Sequence, residues 1–466
     1  MKRNHFPRVI GALLMMVQVG CTVGPKYQRP SVPTPQSFRG AADATPAAAP
    51  SFGDQKWWDV FQDAQLQALV RTALEKNYDV RIAAAHILEA QAQVGIAKSD
   101  EYPTAGVILN GNDNRFARSK FLAPYTTSNT ELGLGFQWNL DFWGKYRSAT
   151  ESARAQLLAE DWARQEVVNT TVSGIASAYF TLRALDLQLE ISQQTLASNN
   201  DSLKLTQMLS DGGATSLLDV RQAEQSVYEA SAAIPNIEKA IQQQENLIES
   251  LLGENPGGVD RGLDLTAQPH TPDIPGGLPS SLLERRPDIR ESEARLMSRN
   301  AQIGVARAAY FPTLSLTGTG GFQSIALSRL FTGPAGVWTF VGSLTQPLFN
   351  SGTLKRNVQL TEAEQQEAVL SYQQTIQHAF REVSDTLIAY AKDQEFRKKQ
   401  ELLTAAAADA SRLSDLRYRG GVSSYLEVLD SNTRHYAAKL TLAQAQLREL
   451  LDYVEIYHAL GGGWQQ

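Results

Sequence analysis

The sequence predicts an α+β fold that is built twice, with short strands and very long helices in each half. Three observations predict it: segments that recur at an offset of about 208 residues, four runs of about ten residues with alternating apolar and polar side chains, and helical stretches with an apolar residue at every seventh position. Alternation is typical of strands and a seven-residue repeat of supercoiled helices. Because no run after the N-terminus reaches eighteen apolar residues, any membrane-crossing part has to consist of strands.

The chain has 466 residues, a formal net charge of -6 and one cysteine. No basic stripe is present, so we predict no nucleic-acid partner. The six histidines show no HExxH motif or paired metal-ligand spacing, and no phosphate-binding loop or Gly-x-Ser-x-Gly elbow occurs. We therefore predict no catalytic residues, no metal site and no cofactor, and we disfavour the alternative of a surface or periplasmic enzyme.

The N-terminus has the form of a secretory signal. Basic residues precede the apolar run "VIGALLMMV", and Gly20 stands directly before Cys21. This pattern predicts a signal peptide over 1–20, with Cys21 as the acylated first residue of a bacterial lipoprotein. Gln18 occupies the position where such signals usually carry leucine, and plain secretion with a free thiol is the alternative. Residues 21–53, rich in Pro, Ala, Thr and Ser, are predicted to be an acylated tether.

The rest of the chain is an internal duplication. "DVRIAAAHILEAQAQVGIAKSDEYPT" (79–104) aligns with "DIRESEARLMSRNAQIGVARAAYFPT" (288–313). A period near 200 residues indicates duplication of a whole domain rather than a solenoid. We predict a first structural repeat over 54–252, a Pro/Gly-rich linker over 253–280, and a second repeat over 281–462.

Each repeat is predicted to contain a helix, two strands and long helices. One helix is expected over 64–101, and the strands over about 104–113, 129–140, 312–323 and 336–347. Apolar residues at every seventh position predict a helix of about 100 Å over 145–210. They occur in two sets: Val168, Ile175, Leu182, Leu189, Leu196 and Leu203, then Val220, Val227, Ile234, Ile241 and Ile248. Four strands cannot close a barrel, so the chain has to oligomerise: two copies give eight strands and three give twelve.

The chain resembles outer-membrane efflux factors of the TolC/OprM type, in the lipoprotein (NodT-type) branch. The resemblance rests on "CTVGPKYQRP" (21–30), "WWDVFQDAQLQALV" (57–70), "LPSSLLERRPDIRESEARL" (278–296) and the "AQVGIAK" and "AQIGVAR" helix ends. It implies a homotrimer whose twelve-stranded transmembrane β-barrel continues into a long α-helical coiled-coil periplasmic tunnel. It also implies the outer membrane of a Gram-negative bacterium, anchored by lipid with most of the mass in the periplasm.

The resemblance further implies a passive exit duct for small molecules, drugs or other toxic compounds, in a tripartite efflux system. Its partners would be outer-membrane lipid, a periplasmic adaptor (membrane fusion) protein and an inner-membrane pump of the RND type. The alternative is a non-conducting coiled-coil lipoprotein that tethers or scaffolds partners in the envelope. That alternative explains the long helices and Cys21, but not four alternating strands in matched pairs.

A glycine break followed by an acidic restart occurs twice, in "DGGATSLLDVRQ" (211–222) and "RGGVSSYLEVLD" (419–430). Glycine pairs of this kind end helices in the left-handed conformation. They are predicted to form helix-hairpin tips and the contact with the adaptor: Gly212, Gly213, Gly420 and Gly421. Ser216 with Asp219, and Ser424 with Glu427, have the spacing of a capping box, which is the simpler interpretation of both carboxylates.

Asp430 lies beyond the cap region, and its counterpart in the first half is Gln222. A threefold axis would turn Asp430 into a ring of three carboxylates, which selects cations or constricts a pore. The resemblance implies a periplasmic gate with an apolar ring at Leu426, an acidic ring at Asp430, and polar locks around Tyr418 and Asp219, with Glu427 nearby. Thr433 occupies a position where some relatives carry a different polar residue.

Overall fold

A computed structural model describes residues 22–40, 51–118, 120–121, 123–269, 274, 279–332 and 334–463. The predicted signal peptide and Cys21 lie outside the described residues. The helices of the first half are α1 (Trp57–Val60), α2 (Ala64–Lys76), α3 (Tyr78–Ser99), α4 (Lys145–Asp211) and α5 (Leu217–Leu252). Those of the second half are α6 (Pro279–Arg285), α7 (Pro287–Ala308), α8 (Thr353–Arg419) and α9 (Tyr425–Ala459). The strands are β1 (Thr104–Phe116), β2 (Tyr125–Leu140), β3 (Thr313–Ser324) and β4 (Gly336–Thr345).

The helix lengths confirm the predicted duplication. Helices α4 and α8 both have 67 residues, and α3 and α7 both have 22. Helix α5 has 36 residues and α9 has 35. At 1.5 Å per residue, α4 and α8 are each about 100 Å long, as the heptad pattern predicted. Among the described residues, no helix is both long and apolar enough to cross a membrane.

The single helix predicted over 64–101 is wrong in one respect, because the chain breaks it at Asn77. The side chain of this buried residue accepts a hydrogen bond from the backbone N–H of Val80 at 3.1 Å and donates one to the carbonyl oxygen of Leu251 at 2.8 Å. An asparagine that bonds to nearby backbone favours a cap over a helix interior. Helices α2 and α3 are therefore two separate helices, one on each side of Asn77.

The chain divides into two compact units. The first comprises the described part of Met1–Ser31, with His86–Asp161 and Glu291–Gln373. It contains one antiparallel sheet with the order β1-β2-β3-β4, as the four alternating runs predicted. Since β1 and β4 each pair with a single strand, the sheet has two open edges within the described part of the chain.

The N-terminal segment of this unit has neither helix nor strand over 22–31, and side-chain hydrogen bonds hold it in place. The guanidinium of Arg29 donates to both carboxylate oxygens of buried Glu293, at 2.6 and 2.5 Å. The side-chain amide of Asn300 donates to the carbonyl oxygen of Pro25 at 2.9 Å. This part of the predicted tether therefore lacks regular secondary structure but is bound to the rest of its unit.

The second unit comprises Val32–Ala85, Trp162–Arg290 and the described part of Gln374–Gln466. Its largest completely buried side chains include Tyr179, Ile175, Leu182 and Tyr457. Every residue of the two predicted heptad sets is buried or half-buried, so these stripes form the seams between helices. Within this unit, hydrogen bonds join its part of α4 to α5 and its part of α8 to α9, which gives two helical hairpins.

Candidate functional site

The two hairpins of the second unit end in turns with the same backbone. We name residues 211–217 the first tip and residues 419–425 the second tip. In the first tip, the N–H groups of Gly213 and Ala214 donate to the carbonyls of Ser210 and Leu209, at 2.9 and 2.7 Å. In the second tip, Gly421 and Val422 donate in the same way to Tyr418 and Arg417, at 2.9 and 3.0 Å. Both patterns are Schellman motifs, which satisfy the last carbonyls of a helix.

One glycine of each pair carries the left-handed conformation. Gly213 has a φ of 74° and Gly421 a φ of 71°, which confirms the prediction for these two residues. Gly212 and Gly420 keep negative φ angles, so the left-handed prediction is wrong for them. Their N–H groups donate to carbonyls four residues back, those of Met208 and Leu416, so they still continue their helices.

The first tip closes with a complete capping box. The hydroxyl of Ser216 accepts from the N–H of Asp219 at 3.3 Å, and the Asp219 carboxylate accepts from the N–H of Ser216 at 3.1 Å. The hydroxyls of Thr215 and Ser216 donate to the same carboxylate oxygen. Partial burial favours a higher pKa for Asp219, but these hydrogen bonds outweigh it and hold the pKa below its ordinary value. Asp219 is thus a charged cap.

The second tip lacks this box, and the prediction for Ser424 and Glu427 is wrong. Ser424 occupies the N-cap position of α9, but its side chain makes no capping hydrogen bond. The Glu427 carboxylate instead accepts from Nε of Arg417 at 3.2 Å. The position 208 residues before Arg417 is Leu209. A guanidinium therefore competes for the acidic group in the second tip, whereas the first tip has an apolar side chain at the matching position.

Two tyrosines bury the second tip against the first hairpin. The rings of Tyr418 and Tyr425 meet edge to face, with centroids 5.4 Å apart. They pack with Val428 and Ala223, all of them buried, and this cluster is completed by half-buried leucines: Leu203, Leu205, Leu209 and Leu429. Burial, together with the neighbouring Tyr418, raises the pKa of Tyr425 to about 12. We name this group the tip core, and Tyr425 keeps its proton at neutral pH.

Leu426 and Asp430 lie outside the tip core, one turn apart on α9. Leu426 is 59% exposed, and the side chain of Asp430 is exposed to the same extent. Nε of Arg434 donates to Asp430 at 2.8 Å, one turn further along. An apolar, an acidic and a basic side chain therefore follow one exposed face of α9 at intervals of four residues. We name these three residues the α9 stripe.

The structure separates the predicted site residues into three groups. Tyr418 belongs to the tip core, Asp219 to the cap of the first tip, and Leu426 and Asp430 to the α9 stripe. Two arginines were missed in the sequence, Arg417 and Arg434. The Asp-to-Arg spacing of four residues on a predicted helix was a readable signal for Arg434. Arg417 meets Glu427 across a turn, and no regular spacing predicts that contact.

Comparison with known proteins assigns the family. The family model of the outer membrane efflux protein matches the chain twice, over residues 69–254 and 278–462, which correspond to the two halves. The toluene efflux pump outer membrane protein TtgC of Pseudomonas putida is 34% identical over 461 residues, covering 98% of this chain and 95% of the relative. The probable outer membrane lipoprotein SilC of Salmonella typhimurium is 32% identical over 468 residues, covering 98% and 99%.

The fold is similar to that of a solved channel. The open state of the MtrE outer membrane channel of Neisseria gonorrhoeae superposes with a TM-score of 0.87 at 30% identity, covering 96% of this chain and 99% of the other. The four-strand sheet and the paired long helices are thus features of an outer-membrane channel, as the sequence resemblance implied. The chain belongs to the outer membrane efflux protein family.

Proposed function

We propose that this outer-membrane efflux channel works as a homotrimer and serves as a passive exit duct without catalytic activity. The observation that supports the trimer is the four-strand sheet with two open edges, since unpaired backbone groups cannot face lipid. Three copies supply the twelve strands of a barrel wide enough for a lumen. The long helices of each copy would continue that lumen as a periplasmic tunnel. The energy for transport comes from an inner-membrane pump of the RND type.

The α9 stripe is the proposed periplasmic gate. Leu426 is largely uncovered by its own chain, and a threefold axis would place three such side chains in one apolar ring. Asp430 would form an acidic ring one turn away, where it favours cations. Its ion pair with Arg434 places a basic side chain beside the acidic ring. Glu427, Asp219 and Tyr418 support this gate by fixing the conformation of the tips.

The hairpin tips are the proposed contact for a periplasmic adaptor. Gly212, Gly213, Gly420 and Gly421 shape both turns, and large apolar side chains beside them are exposed. Leu217, Leu218 and Val422 are each about two-thirds exposed. Exposed apolar side chains in a turn are typical of a surface that another protein covers.

Lipid attachment at Cys21 is a further part of the proposal. The relative SilC carries the description of a probable outer membrane lipoprotein. Metabolic labelling with a palmitate analogue should label the native chain and not the Cys21→Ser variant. Equal labelling of both would exclude acylation at this cysteine.

The conductance of the purified chain in a planar lipid bilayer tests the duct and the gate together. We expect a small, mostly closed, cation-preferring channel, and a change in conductance or selectivity for Asp430→Ala. Asp409→Ala is the matched control, because Asp409 also forms an exposed pair with an arginine, Arg412, at 2.7 Å. The control variant should conduct like the native chain.

Two other outcomes would revise the proposal. A conducting channel that is indifferent to Asp430→Ala keeps the duct but removes Asp430 from the gate. Absence of conductance from well-folded protein, even after the tip core is loosened by Tyr425→Ala, favours the envelope tether instead.

A further inference from the structure

A histidine and two glutamates converge near the C-terminal end of α9. Glu455 and His458 are three residues apart on this helix, and Glu382 reaches them from α8. One ligand atom of each residue lies within 4.8 Å of the others. A Glu-x-x-His pair on one helix with a glutamate from a neighbouring helix is an arrangement by which helical bundles hold metal ions.

The imidazole of His458 is oriented as a metal ligand would be. Its Nε2 lies 3.4 Å from a carboxylate oxygen of Glu166, on α4. A carboxylate at one ring nitrogen orients the ring and is the usual support behind a metal-bound histidine. Burial lowers the pKa of His458, but the carboxylates of Glu166 and Glu382 outweigh it and raise the pKa to about 9, so a metal ion at the other nitrogen would displace a proton. Here the other atom is Nδ1, which is shielded from solvent and has no hydrogen-bond partner among the described residues.

The distance across the cluster suits an ion better than a hydrogen bond. Nδ1 of His458 lies 3.7 Å from Oε1 of Glu382, beyond the range of a hydrogen bond. With metal–ligand distances of about 2.0–2.2 Å, neighbouring ligands of a tetrahedral zinc ion are about 3.3–3.5 Å apart. A shift of a few tenths of an ångström would therefore bring these two ligands to the spacing that an ion requires.

Glu382 is held in place through its second oxygen. Oε2 lies 2.8 Å from Nη1 of Arg286, which also donates to the carbonyl oxygen of Ala459. Arg286 is itself paired with Asp288 at 2.8 Å. Oε1 thus remains available for an ion, and the exposed Glu455 provides access from solvent.

The cluster is absent from the first half of the duplication. The residues 208 positions earlier are Gly174, Leu247 and Ser250, in place of Glu382, Glu455 and His458. The shared hairpin plan therefore does not require these three side chains.

We propose that Glu382, Glu455 and His458 bind a divalent transition-metal ion such as Zn²⁺, with water as the fourth ligand. Imidazole combined with carboxylates is a ligand set for such ions. The sequence alone predicts no metal site, because its histidines show no paired metal-ligand spacing. Glu455 and His458 form only two-thirds of the set, and the fold supplies the third ligand from α8.

The test is a titration of the full chain with Co²⁺ alone, followed by displacement with Zn²⁺. The chain is purified in detergent with a tag that contains no histidine, and is stripped of metal with a chelator. We expect one Co²⁺ per chain, with visible absorption bands of a low-coordinate site that disappear on adding Zn²⁺. Glu455→Gln replaces a direct ligand, so it should weaken binding by more than the roughly 10- to 100-fold that loss of an outer-shell partner costs. His458→Gln should abolish the bands.

Glu367→Gln is the matched control, because Glu367 is an exposed glutamate on α8. It should bind Co²⁺ like the native chain. Glu455 is exposed, so its variant tests the site even if His458→Gln fails to fold. Sub-stoichiometric binding by the native chain, or equal binding by native and Glu455→Gln protein, would overturn the proposal. Glu455→Gln should also conduct like the native channel, so this result is independent of the proposed gate.

Discussion

The two hairpin tips share a backbone but are held by different forces. Both end their first helix with a Schellman motif and a left-handed glycine. The first tip then closes on itself, through the box formed by Ser216 and Asp219. The second tip has no side-chain cap from its N-cap serine, and is held by Tyr418 and Tyr425 in the tip core. Local hydrogen bonds stabilise one tip and tertiary burial stabilises the other.

This difference determines how each tip could be released. The residues 208 positions before Tyr418 and Tyr425 are Ser210 and Leu217, and Leu217 is 64% exposed. Releasing the first tip requires breaking a local cap, which re-forms within its own turn. Releasing the second requires both rings to leave the tip core, which costs more than a local cap but leaves the hydrogen bonds of its own turn intact. A gate built on the second hairpin can therefore open as one piece while both helices of that hairpin persist.

The largest effect is expected from removing one ring of the tip core. Tyr425→Ala deletes a buried aromatic side chain and should cost about 3–5 kcal/mol of local stability. Hydrogen exchange over 419–431 should accelerate strongly, and the channel should open more often. Leu217→Ala, at the matching exposed position of the first tip, should stay within about 0.5 kcal/mol. Similar hydrogen-exchange rates in Tyr425→Ala and Leu217→Ala would contradict the difference between the tips.

The next effect is a pH dependence of stability, which we expect from the second hairpin and not from the matching position of the first. Asp452 of α9 has a shielded carboxyl oxygen, Oδ2, without a donor among the described residues. Burial, then the charge of Asp393 on α8, raises the pKa of Asp452 to about 7, while Arg448 opposes this shift and Glu455 adds to it. The matching position of the first hairpin is Gln244, which donates to the carbonyl oxygen of Ala178 at 2.9 Å and does not titrate.

A carboxyl with a raised pKa binds its proton more tightly in the folded chain than in the unfolded one. The stability that it contributes is complete below its ordinary pKa of 3.8, and is lost as the pH rises through about 7. The melting temperature of the native chain should therefore fall as the pH rises from about 4 to about 7, and level off above that. Asp452→Asn should flatten this slope. An equal slope in both proteins would show that other groups cause it.

Most of the fold was readable in the sequence because it is periodic. The heptad sets predicted α4 and its length, and alternation predicted the four strands. The failure at the second tip has one physical cause, which is a residue that no regular spacing connects to the motif. Ser424 and Glu427 have the spacing of a cap, but Arg417 approaches across the turn and takes the carboxylate. In the same way, nothing in the spacing of Glu455 and His458 indicates that Glu382 would join them.

A smaller effect compares the two N-cap serines directly. Ser216→Ala removes a side chain that accepts from the N–H of Asp219 and should cost about 1 kcal/mol. Ser424→Ala removes a side chain that makes no capping bond, and should cost only a few tenths of that amount. The hydrogen-exchange rates of the first backbone amides of α5 and α9 measure the stability lost in the two variants. If both variants lost the same amount of stability, Ser424 would also cap its helix in solution.

The smallest effect concerns one hydroxyl. The Tyr418 hydroxyl is buried, and it has no hydrogen-bond partner within the described part of the chain. An unsatisfied buried hydroxyl is costly, so Tyr418→Phe should leave the tip unchanged or stabilise it by up to about 1 kcal/mol. Tyr425→Phe is the control, since Ser226 lies within hydrogen-bonding reach of Tyr425 and that bond would be lost. If Tyr418→Phe instead opens the channel in bilayer recordings, the hydroxyl binds a group of a neighbouring subunit. Tyr418 would then be a polar lock between chains rather than only a ring in the tip core.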